Sequence, residues 1–494
     1  MFDLRHKIFQ LIISRLDGDN LKDSAYREKM FDLAHKGIGG FIIFGGNRDE
    51  VKAFVYSLQS ISDIPLFMAS DIERGAGQQF KGATHFPSLM AISAAIDQNN
   101  PSHVQILDTY LKSVAEEAID IGINMPLIPV MDVNLNPDNP IICTRSFSDD
   151  PQRVSWFGKK YIEILQDAGL VSCAKHFPGH GDTAIDSHIS LPVISKSDEE
   201  LMRSDLVPFK EAIKSGVGSI MMGHLSIPSI DSLPATLSNK IVTDLLRKLL
   251  GYTGLIMTDA LNMSALNEFE NVPAQCINAG NDIILHPADP MKTADELEHA
   301  VETDMIAEDT IERAFKRVMQ YKSVLKTFGQ VNPDYKEHNN IAENLFSTSI
   351  TLVSGKPDQS MSDFSKADLI YTGDDSKIDI SGLKKHMPNA LHINKYTGPF
   401  NSKVIIALFT TVAAWQGSSG ISEDDQDKIK AIINESQSST VISFGSPYVL
   451  RQFKEADMLI AAYDSSIYAQ NAVFDCLINN KEFQGSLPVN INFL

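Results

Sequence analysis

Short apolar runs closed by a polar or glycine residue recur through the first two thirds of the chain: GFIIFGG (40–46), PLFMASD (65–71), INMPLIPVMD (123–132), LVSCAKHF (170–177), SIMMGHL (219–225), GLIMTDA (254–260) and DIILHP (282–287). Runs of this length, apolar at successive positions, predict strands buried on both faces of a parallel sheet. Between them the period changes to that of a helix. Val104, Leu107, Leu111, Val114 and Ala118 share one helical face, as do Val154, Phe157, Tyr161, Ile162 and Leu165. At the N-terminus, Leu4, Ile8, Leu11, Ile12 and Leu16 predict an amphipathic helix. Strand and helix alternating over residues 1–330 is the pattern of a (β/α)8 barrel, although a doubly wound sheet shares that periodicity.

The carboxyl ends of the predicted strands favour the barrel, because they carry Asp71, Asp132, Lys175 with His176, His224 and Asp259. A barrel presents its chemistry on that face. One or two polar strand ends would follow from solvent contact alone; five are harder to explain that way. Residues 331–345 fall in a polar stretch that reads as a linker. Beyond it, SITLVSG, ADLIYTG, KVIIALFT, TVISFGS and MLIAAYD alternate with the helical stretches QDKIKAIINES and IYAQNAVFDCLIN. Residues 346–494 are therefore predicted to form a smaller α/β/α sandwich around a parallel sheet.

Composition narrows the function classes. Lys and Arg number 43 against 63 Asp and Glu, a formal charge of −20, which disfavours nucleic acid as a partner. Asp3, Arg5, His6 and Lys7 interrupt the apolar N-terminal stretch and no small-residue cleavage site follows, so a signal peptide is not expected. No segment reaches the roughly 18–20 apolar residues of a membrane span. Cys143, Cys173, Cys276 and Cys476 are widely spaced, without a paired zinc or redox motif. A soluble protein of the reducing cytoplasm is expected.

Reactive side chains are densest in KHFPGHGDTAIDSH, residues 175–188. Pro178, Gly179 and Gly181 forbid a helix, so the segment is predicted to leave a strand as a loop near the barrel mouth. It admits three readings. It can be a surface turn whose histidines satisfy backbone groups. It can be a metal site, since His176, His180, Asp182, Asp186 and His188 are all ligand types, although Pro178 and Gly179 break the helix that would place His176 and His180 on one face. Or Asp186 and His188 form a dyad: residues two apart in extended chain project to one side, and a carboxylate bonded to one ring nitrogen fixes the tautomer and raises the imidazole pKa. That arrangement suits a general acid/base. Asp259, at the end of GLIMTDA, reads equally as its nucleophilic partner at a barrel mouth or as the N-cap of a following helix.

The run K-H-F-P-G-H-G-D-T followed by D-S-H resembles the signature of β-N-acetylglucosaminidases in glycoside hydrolase family 3. Other segments are similar in the same order: ASDIERGAGQQF (69–80), PVMDVNLNPDNPIICTRSF (129–147), IMTDALNM, ISFGSPYVL (442–450), AAYDSS and FQGSLPV. The likeness spans nearly the whole chain. It implies a barrel enzyme that removes terminal β-linked N-acetylglucosamine with retention, through a glycosyl-aspartate, without metal or organic cofactor. In this numbering it assigns Asp259 as nucleophile, His188 as acid/base and Asp186 as its orienting partner. Asp71, Arg145, Lys175 and His176 would hydrogen-bond the sugar in the outermost subsite. N-acetylglucosamine-containing oligosaccharides or muropeptides from peptidoglycan recycling are the implied substrates. Ala76 and Gln79 stand where many members carry arginine, and Arg74 where glycine is usual, which points to a different aglycone preference. The alternatives within the family are a β-glucosidase and a β-N-acetylglucosaminide phosphorylase; outside it stand a non-catalytic sugar-binding protein and a metal-dependent hydrolase.

Overall fold

The structure is a computed structural model; it describes residues 2–183, 187, 190–325, 331–356, 367–398, 403–410, 420–479 and 481–491. Within them, the apolar runs of the first two thirds form parallel strands: β1 (Ile12–Asp17), β2 (Gly40–Phe44), β3 (Phe67–Ser70), β4 (Met125–Pro126), β5 (Cys173–Phe177), β6 (Ser219–Met222), β7 (Leu255–Thr258) and β8 (Ile284–Leu285). Pairing follows the order β4-β3-β2-β1-β8 and β5-β6-β7, and the bridges Val130 to Lys175 and Met257 to Ile283 join the two sets. Because the first strand pairs with the last, Ile12 opposite Ile284 and Ile13 opposite Leu285, the sheet closes. That closure separates a barrel from a doubly wound sheet, which leaves its edges open.

One predicted element changes identity. The N-terminal helix stops early, at Leu4–Gln10, and Ile12–Asp17 is β1. Ile12, Ile13 and Leu16 are all fully buried. A barrel strand is enclosed on both faces, and over so few residues a run with that property matches helical and strand periods equally well. The expected strand 123–132 is shorter than its apolar run, because Pro126 and Pro129 have no amide hydrogen for a ladder.

The barrel's far end is closed by a buried cation. The Lys322 ammonium, at the end of helix Glu308–Lys322, donates to Gln10 Oε1 and to the Gly39 carbonyl, both at 2.7 Å. Burial lowers its pKa to about 7. Between β7 and β8, fully buried Asp282 takes Arg317 at 2.7 Å, the Ile256 amide at 2.9 Å and Arg247. Removing the carboxylate strands two guanidinium groups beside the sheet. Asp282→Ala is expected to cost about 3–5 kcal/mol, measured by urea unfolding.

The second compact unit gathers Phe86–Leu107, Asn134–Asp150 and Asn339–Leu494. These bounds differ from the contiguous division drawn from the sequence, and Tyr335–Ser349 forms a helix where a linker was expected. Met90, Ala91, Ala94 and Cys143 pack in one apolar core with Val404, Ile406 and Leu408, which draws the two early segments into this unit. Its sheet contains β9 (Thr351–Ser354), β10 (Ala367–Tyr371), β11 (Leu391–His392), β12 (Lys403–Phe409), β13 (Ser438–Phe444) and β14 (Met458–Ala461). Their order is β11-β10-β12-β13-β14-β9.

Along β12 successive side chains alternate between two cores. Val404, Ile406 and Leu408 meet helix Glu423–Glu435, while Ile405, Ala407 and Phe409 meet helix Ile467–Ile478. This is the three-layer sandwich the sequence predicts. The sheet is of the expected parallel type, with edge strand β9 alone among the described strands running antiparallel to its neighbour β14. An apolar run does not encode its own direction, and antiparallel edge strands are common on otherwise parallel sheets.

Candidate active site

β3 ends at Ser70, so Asp71 and Glu73 follow it at the barrel mouth, and β5 carries Lys175 and His176. The Lys175 side chain is 1% exposed. Its Nζ donates to Asp71 Oδ1 at 2.6 Å and lies 2.7 Å from Glu73 Oε1. A buried ammonium is tolerated when it is paired in this way, and its charge offsets the repulsion between the two carboxylates it joins. Gln79 Nε2 donates to the Asp71 carbonyl at 3.1 Å, so this side chain, standing where arginine is usual, braces the site's backbone. Ala76 is fully buried.

His176 turns to Asp132. Its Nδ1 is 2.7 Å from Asp132 Oδ2, and the His180 amide donates to Asp132 Oδ1 at 2.6 Å. Burial works against ionisation of Asp132, but attraction to His176, the hydrogen bond from it and the nearby His180 outweigh burial and hold its pKa below the ordinary value. An ionised Asp132 fixes the His176 ring, with Nδ1 as donor, and leaves Nε2 to act elsewhere.

The loop after β5 is held from several sides. Gly179 has φ +132°, and a Cβ there would lie 2.8 Å from that of Asp205, so the position requires glycine. Lys196 joins the loop's Asp182 at 3.0 Å to buried Asp205 at 2.7 Å. Both ring nitrogens of His180 face hydroxyls: Nδ1 is 2.8 Å from Thr183 Oγ1 and Nε2 is 3.1 Å from Ser187 Oγ. Asp186 and His188, the chain neighbours of Ser187, lie outside the described residues.

Asp259 follows β7, with its amide on the Met222 carbonyl at 3.0 Å and its Oδ1 accepting from the Ala260 amide at 2.7 Å. No helix opens there; the next helical turn is Ser264–Leu266, so the N-cap reading is not what the fold uses. Buried His224, at the end of β6, supports this segment, its Nε2 lying 3.2 Å from the Ala260 carbonyl and its Nδ1 2.8 Å from Thr236 Oγ1. After β8 stands His286, at φ +48° and 7% exposed. Burial first, then Arg15, lowers its pKa to about 4, against the opposing pull of Asp17, Asp71 and Asp259.

The fold therefore brings Asp71, Lys175, His176 and Asp259 to the carboxyl ends of parallel strands of the first unit. Arg145 belongs to the second unit, in the turn Cys143–Arg145, where its Nη1 donates to the Ile141 carbonyl at 3.1 Å. Sequence reasoning gave no role to Glu73 or His286. Glu73 lay inside the quoted 69–80 motif, and His286 closes a predicted strand as Asp259 does. Asp132 was visible as a strand-end carboxylate, but its pairing with His176 was not.

Comparison with known proteins fits this geometry. Residues 3–321 match the family described as "Glycosyl hydrolase family 3 N terminal domain". The chain belongs to glycosyl hydrolase family 3. It is 35% identical over 324 residues to "Beta-hexosaminidase A" of Pseudoalteromonas piscicida, covering 58% of this chain and 54% of that protein. It is 31% identical over 344 residues to "Beta-N-acetylglucosaminidase/beta-glucosidase" of Cellulomonas fimi, covering 65% of this chain and 60% of that protein. The chain thus spans little more than half the length of these curated relatives. A solved glycoside hydrolase family 3 β-N-acetylglucosaminidase from Paenibacillus sp. str. FPU-7 superposes with a TM-score of 0.83 at 27% identity, covering 100% of both chains. Among the described residues, no helix is long and apolar enough to cross a membrane.

Proposed function

We propose that this protein is a retaining β-N-acetylhexosaminidase that removes terminal β-linked N-acetylglucosamine. The observation that carries the reading is the gathering of Asp259, the Asp71–Lys175–Glu73 cluster and the Asp132–His176 pair at one end of a closed barrel. In the first step the Asp259 carboxylate attacks the anomeric carbon, the bond to the departing oxygen breaks, and His188 gives that oxygen its proton. In the second, neutral His188 takes a proton from water, the hydroxide displaces the aspartate from the sugar, and the protonated imidazole is restored. A carboxylate and an imidazole suffice for both steps, so neither metal nor organic cofactor is needed. Asp71, Lys175 and His176 of the first unit would hold the sugar, with Asp186 orienting His188.

Peptidoglycan-derived fragments are the proposed substrates, and the four free cysteines suit a reducing cytoplasm. The test compares hydrolysis of aryl N-acetylglucosaminide and aryl glucoside. Higher kcat/KM on the glucoside would replace this reading with a β-glucosidase, and sugar 1-phosphate formed in phosphate buffer would replace it with a phosphorylase. His188→Ala is expected to slow poor leaving groups by about 10²–10⁴-fold and activated aryl leaving groups far less. An equal effect on both would remove His188 from the acid/base role.

A further inference from the structure

We infer that His286 is a sugar-binding residue of the barrel mouth, contacting a hydroxyl or amide of the sugar held near Asp71 and Asp259 through a ring nitrogen. The inference deepens the proposed function and rests on it. His286 is the first residue after β8, and its amide donates to the Ile13 carbonyl at 2.8 Å. The backbone is thereby fixed where the last strand meets the first. Its φ of +48° is uncommon for a residue other than glycine, and such conformations gather at functional sites.

The ring leans against Phe44 at the end of β2, with centroids 5.9 Å apart and planes at 44°. The guanidinium of Arg15 covers the same Phe44 ring at 4.9 Å and is paired with Asp17 at 2.6 Å. Among the described residues, neither ring nitrogen of His286 makes a hydrogen bond, although the residue is 7% exposed. Neither nitrogen is among the buried atoms left without a partner, so both reach solvent and are open to a ligand, while the body of the ring is enclosed against Phe44.

The chemistry of that ligand follows from the neighbours. Asp71 and Asp259 only accept hydrogen bonds when ionised, and Lys175 only donates. Burial and Arg15 keep His286 neutral down to about pH 4, so one ring nitrogen donates and the other accepts. A sugar hydroxyl also does both, which makes the neutral imidazole a complement that the surrounding charges cannot replace.

His286→Phe preserves a ring against Phe44 while deleting both nitrogens, and His286→Gly deletes the ring while accommodating the positive φ. His286→Asn retains a donor and an acceptor and tolerates that backbone. Calorimetric titration with free N-acetylglucosamine is expected to show weakening of about tenfold for the Phe and Gly variants, with substantial recovery in Asn. KM for the aryl N-acetylglucosaminide should rise more than kcat falls. If whichever of the Phe and Gly variants folds binds the sugar as the parent does, the inference is wrong. Asp259→Ala, run in parallel, separates the two failures. An active Asp259→Ala protein overturns the catalytic reading, whereas an inactive one beside sugar-tight His286 variants overturns only the role of His286.

Discussion

Asp259→Ala is expected to lower kcat by about 10⁴-fold or more, a loss of transition-state stabilisation of about 5 kcal/mol. Alanine cannot form the bond to the anomeric carbon, and water lacks the carboxylate's fixed placement at the end of β7. The melting temperature should hardly change. Asp259 is only partly buried, and its main-chain bond to Met222 does not depend on the side chain. Initial rates on an aryl N-acetylglucosaminide, read beside a thermal melt, check both halves. Near-parental turnover would show that another group attacks the sugar. Peptide mapping after incubation with a slow fluorinated substrate should place the label on the GLIMTDA segment.

The second large effect is at Lys175. Lys175→Met leaves Asp71 and Glu73 facing a site with no cation between them, and Glu73 is only 5% exposed. Breaking a buried pair from one side costs about 3–5 kcal/mol of stability, and kcat/KM should fall by about 100-fold or more as Asp71 loses its fixed position. Adding Glu73→Gln removes one of the repelling charges. The double variant should therefore regain much of the stability while remaining inactive. Urea unfolding of the two singles and the double gives the coupling directly. If the single variant unfolds at the parental midpoint, the ammonium does not hold this cluster together.

The barrel was legible because its strands are enclosed on both faces and so appear as uninterrupted apolar runs, each closed by a polar residue. The same property hid β1, whose buried positions continue the apolar face of the preceding helix. In the second unit, the uninterrupted apolar run of β12 announced a sheet covered on both sides. The reversal of β9 has no local signal, because strand direction is set by the connections and by which edge remains free. Asp71, Lys175, His176 and Asp259 were visible as strand-end residues. Glu73 was not, since a carboxylate three residues past a strand has no distinguishing pattern until the cation it faces is known.

By itself the sequence determined the order of most strands and helices, the end of the barrel strands at which reactive groups gather and the types of group placed there. Those properties are periodic or positional along the chain, and periodicity survives without three-dimensional contacts. The tertiary structure alone decided which charges meet. Lys175 and Asp71 are 104 residues apart and His176 and Asp132 are 44 apart, yet each pair closes to hydrogen-bond distance. Closure of β1 on β8 brought them there, because only a closed parallel sheet turns every strand end toward one mouth.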